Sequence, residues 1–297
     1  MKAKFKRSNY IMFLILCWSL SACVSFDKGW NYMEEKETSE NTDMLLKQAS
    51  ELEDLASTEE DVEKLISIYK KIEKADPGNY YALWKIGNYN LLMGAAHKHK
   101  KKEKKHYYRE AIRYCEKAMF TNDDFKAAVG RGEDVVSAAK HLTINEVDAM
   151  GYWYTARFYY FKECMSPLRR IFNTKIVMEN NEIIALIDKL DPNWAGGGNY
   201  FSRALYYIAV PERFGGSKEK AAEEFDKAIE VGPGYYVNRW GRAKYLYSLT
   251  GNQEGFISDL KWVVEQDPQK GKNPHAWNVY FQKDAAKMLE DEGVALE

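Results

Sequence analysis

The sequence predicts an all-α fold, a solenoid of about ten to twelve helices arranged as hairpins, and three features carry that expectation. Apolar residues recur at helical spacing in several separate copies, the copies fall near a common period, and no stretch alternates apolar and polar residues as a half-buried strand does. In each copy a first residue is followed four positions later by an apolar or aromatic one, three later by another apolar one, and five later by proline or an acid. The copies are Leu65, Tyr69, Ile72, Pro77, then Ala111, Cys115, Ala118, Asp123, then Ala221, Phe225, Ala228, Pro233, and then Phe256, Leu260, Val263, Pro268, with a fainter one at Asn180, Ile184, Ile187, Pro192. Spacings of four and three place three side chains on one helical face, and a proline there stops the helix. Partner helices are legible at Leu83, Trp84, Gly87 and Tyr89, and again at Arg242, Ala243, Leu246 and Tyr247.

These offsets are those of the second helix of a tetratricopeptide repeat, whose period is 34 residues. Pro233 and Pro268 are 35 apart, and Asp123 and Pro192 are 69 apart, which leaves room for an unmarked helix pair. Pro77 to Asp123 is 46, the excess falling on the Lys-rich segment from His97 to Lys105; Pro192 to Pro233 is 41, the excess falling on Pro211 to Ser217. Residues 45–297 therefore read as one repeat domain whose first helices make a concave face.

The first 22 residues have the order of an export signal. Lys2, Lys4, Lys6 and Arg7 precede an apolar run from Ile11 to Leu20, too short to span about 30 Å of hydrocarbon, and then come the small residues Ser21 and Ala22. Leu20, Ser21, Ala22 and Cys23 resemble the lipobox cut by the bacterial lipoprotein signal peptidase, so Cys23 is expected to carry lipid. Residues 23–44, rich in Lys28, Glu34, Glu35, Lys36, Glu37, Ser39 and Glu40, read as a flexible tether. Acyl chains contribute about 0.8 kcal/mol per buried methylene, so several on one cysteine hold a domain at a membrane without any spanning helix.

A chain that is 45% hydrophobic and 29% charged is globular. Removing the signal leaves 39 basic against 44 acidic residues, which gives no electrostatic footprint for nucleic acid. With Cys17 in the signal and Cys23 acylated, Cys115 and Cys164 are the pair left to bond in an oxidising compartment, and each also suits an apolar helical core. No H-E-x-x-H, G-x-S-x-G, G-x-x-x-x-G-K-[ST] or G-x-G-x-x-G occurs, so no catalytic residue and no cofactor beyond the lipid on Cys23 is expected, and His97 and His99 do not complete a metal set.

The second half carries a more particular pattern. Asp191, Pro192 and Trp194 lead into Gly196, Gly197 and Gly198, then Arg203, a Tyr-rich helix, Pro211, Gly215 and Gly216, and the repeat around Lys220, Ala221, Phe225, Lys227 and Ala228. With Arg242, Ala243, Tyr245, Phe256, Leu260, Val263, Asn278 and Ala285 further on, this resembles the T component of TRAP transporters, the TatT family, over about Asp191 to Leu289. Asn199 after the glycines and the His97 to Lys105 insert depart from that pattern. The resemblance implies a non-catalytic, periplasm-facing lipoprotein of degenerate repeats, on the outer membrane by preference. It also implies a trimer around a pore-like channel that docks the periplasmic solute-binding protein of the transporter. Hand-over of a small organic acid or partly apolar ligand is the implied task. A general repeat scaffold for envelope assembly is the other reading of lipobox plus repeats.

Candidate contacts for ligand or partner are Trp194, Gly196, Gly197, Gly198, Arg203, Tyr206, Tyr207 and Asn278. The three glycines permit positive φ and amide donors near a helix start, and Arg203 one turn on suits a bidentate carboxylate contact; the same residues also suit an inter-helix turn and an internal ion pair. Seven aromatics between Tyr152 and Phe161 encircle a helix, so some face away from a shared core and are free to line a groove.

Overall fold

A computed structural model of the chain describes residues 24–38 and 41–295. Cys23 and the signal-like segment before it lie outside the described residues, as do 39–40. All regular structure among the described residues is helical. The principal helices are α1 (Thr42–Glu53), α2 (Glu59–Ala75), α3 (Tyr80–Leu92), α4 (Lys101–Met119), α5 (Asp123–Gly130), α6 (Val135–Ala138), α7 (Val147–Cys164), α8 (Pro167–Phe172), α9 (Lys175–Leu190), α10 (Gly198–Ala209), α11 (Lys218–Val231), α12 (Tyr236–Gly241), α13 (Gln253–Glu265) and α14 (His275–Asp291). Short polar residues set many of the starts. Asn41 accepts from the amides of Asp43 and Met44, Thr58 and Asp61 form a reciprocal capping box, and Asn79, Asn122, Ser217 and Asn252 cap α3, α5, α11 and α13.

The repeat residues are the core residues. Leu65, Tyr69 and Ile72 of α2, Ala111, Cys115 and Ala118 of α4, Ala221, Phe225 and Ala228 of α11, and Phe256, Leu260 and Val263 of α13 are all buried. Successive helices pack in chain order, α1 on α2 through α4, then α4 on α7, α7 on α9, and on through α10 to α14. The row does not stay open. Trp277 on α14 donates its indole N–H to Asn88 Oδ1 on α3 at 2.8 Å, across 189 residues, while Gln269 and Lys283 donate to the carbonyls of Asp54 and Ser57. The concave face expected of first helices is thereby closed into an interior.

The Lys-rich insert is mostly helical. α3 runs on through a π turn, Met93–His97, and α4 starts at Lys101, so the extra residues lengthen a hairpin. Lys98 pairs with Glu59 and lies over the Tyr107 ring at 5.2 Å. Cys115 and Cys164 are free and buried; Gly87 backs directly onto the Cys115 sulfur.

The tether expectation is corrected for residues 24–38. Charges drew the sequence reading there, but Phe26 and Trp30 are apolar anchors between them. Phe26 meets the Tyr160 ring edge-on at 5.1 Å and Trp30 stacks on Phe120. Arg109 donates to Ser25 O at 3.0 Å, Glu37 N–H to Lys74 O at 2.9 Å, and Gly29 packs so closely on α4 that a Cβ there would meet Arg113 O at 2.2 Å. The segment is a strap on α4 and α7.

Glu116 is the buried end of that strap. It accepts the Gly29 N–H at 2.6 Å and the Trp153 indole N–H at 2.9 Å. Burial pushes its carboxyl up to about 7, against the opposing pull of those two donors. A carboxyl whose folded pKa lies above its unfolded 4.5 contributes most stability while protonated, and that contribution is lost as pH rises through about 7. Unfolding free energy is therefore expected to fall by about 3 kcal/mol from Glu116 between pH 4.5 and pH 8. Denaturant titrations at several pH values check this; Glu116→Gln flattens the slope, and an unchanged slope in that variant refutes the assignment.

Candidate functional site

The interior of the row holds an apolar pocket of about 140 Å³ that is open on one side. Five first helices and α9 contribute to its wall. Leu91 comes from α3; Tyr152, Thr155 and Phe158 from α7; Ile176, Val177 and Asn180 from α9. Phe201, Leu205 and Tyr206 come from α10, and Trp277 and Phe281 from α14. Tyr245 reaches it from a π turn, Arg242–Tyr247, that continues α12. No acidic or basic side chain lines it among the described residues.

Its few polar groups are mostly committed. The Tyr154 hydroxyl is 2.8 Å from Ser202 Oγ, and Thr155 Oγ1 donates back to Gly151 O within its own helix at 2.7 Å. Asn180 Nδ2 donates to Tyr154 O at 2.9 Å, but Asn180 Oδ1 is buried with no partner. A buried acceptor left open costs about 1–3 kcal/mol. Burial holds the phenols of Tyr152 and Tyr154 well above their ordinary range, so they are neutral donors or acceptors at every physiological pH. One cation stands against the wall: Lys162 Nζ lies 3.6 Å from the Tyr245 ring centroid, and burial together with neighbouring Lys244 pulls it down to about 8.

A second, polar cavity of about 380 Å³ opens beside α14, lined among others by His97, Lys104, Glu163, Lys244, Lys283 and Asp284. Lys104 is paired with Glu163 and Lys244 with Asp284, each at 2.7 Å, so two of its four lysines are neutralised within the site.

The sequence-derived candidates separate into two groups. Trp194, Gly198 and Tyr206 line the apolar cavity. Trp194 is held there because Gly151 leaves room for its ring, which a Cβ would meet at 2.1 Å, and because its N–H donates to Asp148 at 2.9 Å. Gly196, Gly197, Arg203, Tyr207 and Asn278 do not line it. Gly196 and Gly197 have φ of 61° and 91°, and their amides are spent on Asn193 O and Trp194 O inside the turn. Gly196 O accepts from Asn238 Nδ2, which ties the turn to α12. They are turn residues, not anion donors.

Arg203 is likewise committed. It pairs with Asp188 of α9 and, at 3.0 Å, with Glu224 of α11, and its guanidinium lies over the Tyr200 ring. Both acids hold the guanidinium among α9, α10 and α11, away from the residues that line the cavity. Arg203→Ala is expected to lower unfolding free energy by about 2 kcal/mol, since it leaves Asp188 and Glu224 facing each other, and to leave cavity binding within about twofold. Denaturant titration and a binding isotherm read the two effects; the opposite pattern restores Arg203 as a ligand contact. Asn278 Nδ2 donates to Pro268 O and Asn273 O, stitching the loop before α14 to that helix. Tyr207 stands beside Tyr206 with Lys220 over its ring, and its carbonyl accepts from Ser217.

Phe201, Leu205, Trp277 and Phe281 are cavity residues that spacing did not single out, and Asn180, marked only as a repeat position, joins them, because they meet only when distant helices close. Among the described residues no group of His, Cys, Asp and Glu is placed to hold a metal, and no helix is long and apolar enough to cross a membrane. The family model described as TRAP transporter T-component matches residues 90–294, and one described as regulator of microtubule dynamics protein 1-3 matches residues 45–129. No curated protein matches the chain.

Proposed function

Since the chain belongs to the TRAP transporter T-component family, we propose that it is the ligand-holding, membrane-attached component of such a transporter in the cell envelope. The observation that carries this reading is the apolar cavity inside the closed helical row. Its wall supports a ligand with an aliphatic or aromatic body, rather than a small, fully charged acid. Any carboxylate on that ligand stays at the mouth. The chain docks the periplasmic solute-binding protein of the transporter, which delivers or receives the ligand, and it assembles as a trimer. Lipid on Cys23 holds it to the membrane, the outer membrane by preference, facing the periplasm. Titration with 8-anilinonaphthalene-1-sulfonate, an aromatic probe with one charge at its edge, tests the cavity: saturable one-to-one binding with a blue shift supports it, and no binding up to about 1 mM argues against it.

A further inference from the structure

Four of the twelve exposed large hydrophobic side chains among the described residues fall within eleven positions: Leu168 at 61%, Ile171 at 66%, Phe172 at 48% and Met178 at 61%. Leu168, Ile171 and Phe172 are spaced i, i+3, i+4, so α8 turns one apolar face outward. From Met165 to Met178 the chain also carries Arg169, Arg170 and Lys175, of which Lys175 pairs with Glu179 just beyond at 3.1 Å. An apolar face with basic flanks is the composition of an element lying in a membrane interface, its side chains about 5–10 Å deep and its cations among anionic headgroups.

The chain path says why a membrane, rather than another protein, covers this face. Val24 donates its N–H to Asn173 Oδ1 at 2.7 Å, and Asn173 Nδ2 donates to Arg169 O at 2.7 Å. Asn173 thus ties the start of the strap to the C-terminal end of α8. Cys23 precedes Val24 directly in the sequence, so lipid on Cys23 is attached one residue before the point where the strap is tied to the end of α8. Strap contacts from Phe26, Gly29 and Trp30 remove the slack that a tether would give. We propose that α8 is a membrane-docking element, which with the lipid on Cys23 seats the domain on an anionic bilayer in one fixed orientation. This rests on Cys23 being acylated, part of the function proposed above.

The test uses the full mature lipoprotein purified from cells and reconstituted in vesicles containing phosphatidylglycerol and brominated phosphatidylcholine. Bimane is attached at Ile171→Cys and, as control, at Leu249→Cys, another exposed hydrophobic position; native Cys115 and Cys164 are buried. Bimane at position 171 is expected to be blue-shifted and quenched severalfold more than at 249, and Arg169→Gln with Arg170→Gln to reduce that quenching. Equal quenching at both positions, in protein whose mass shows acylated Cys23, overturns the docking element while leaving the lipoprotein standing. Absence of the acyl mass overturns both. Shielding at 171 that rises with protein concentration, without quenching by brominated lipid, marks a contact between copies and also overturns the proposal.

Discussion

Trp277→Ala is expected to lower the unfolding free energy by about 4 kcal/mol, combining a large cavity in the core with a hydrogen bond lost at a buried amide. Trp277 is 6% exposed, stacks on Phe281 at 5.6 Å, and makes the 2.8 Å bond to Asn88 that joins α14 to α3. Asn88 is fully buried and its Nδ2 has no partner, so losing the indole strips that side chain of its one bond to a side chain of α14. Trp277→Phe separates the contributions: it keeps most of the ring and is expected to cost about 1–2 kcal/mol. Equilibrium denaturation reads both. If the two variants cost the same small amount, α14 is not what closes the interior.

Thr155→Phe has the largest expected effect on binding. Thr155 faces the cavity, and its hydroxyl donates to Gly151 O one turn back in its own helix. A benzyl group enters space that a ligand ring would fill. The dissociation constant for 8-anilinonaphthalene-1-sulfonate is expected to rise at least about a hundredfold, while stability changes by about 1 kcal/mol or less because the added ring occupies a void. Thr155→Ser keeps the wild-type affinity. Unaltered affinity in the Phe variant places the probe elsewhere on the protein.

Much of the fold was legible because it is local. The spacing of four and three in Leu65, Tyr69 and Ile72, or Phe256, Leu260 and Val263, needs no knowledge of the rest of the chain to mark a buried helical face. Closure of the row was not legible, since it depends on one indole meeting one amide 189 residues away. The strap escaped for a different reason. Its anchors, Phe26, Gly29 and Trp30, follow no helical or strand period and sit among charges, so composition outweighed them.

The candidate site shows the same division. Trp194, Gly198 and Tyr206 line the cavity, and the aromatic surplus between Tyr152 and Phe161 supplies much of its wall. Arg203 and Gly196 were chosen for what their chemistry permits, and both permissions are used internally: the guanidinium by Asp188 and Glu224, the glycine by a left-handed turn against Tyr235. A sequence shows that a cation exists but not how many acids surround it. Asn180, by contrast, looks like a helical filler, and only the assembled wall reveals an acceptor with nothing to accept.

The role in transport is tested most directly by mixing the purified mature chain with the TRAP solute-binding protein of the same cell and following their sedimentation and ligand content. A complex at about 50 µM or below, in which ligand passes between the partners with wild-type chain and not with Thr155→Phe, is the expected result. Independent sedimentation of the two proteins, with and without ligand, contradicts it.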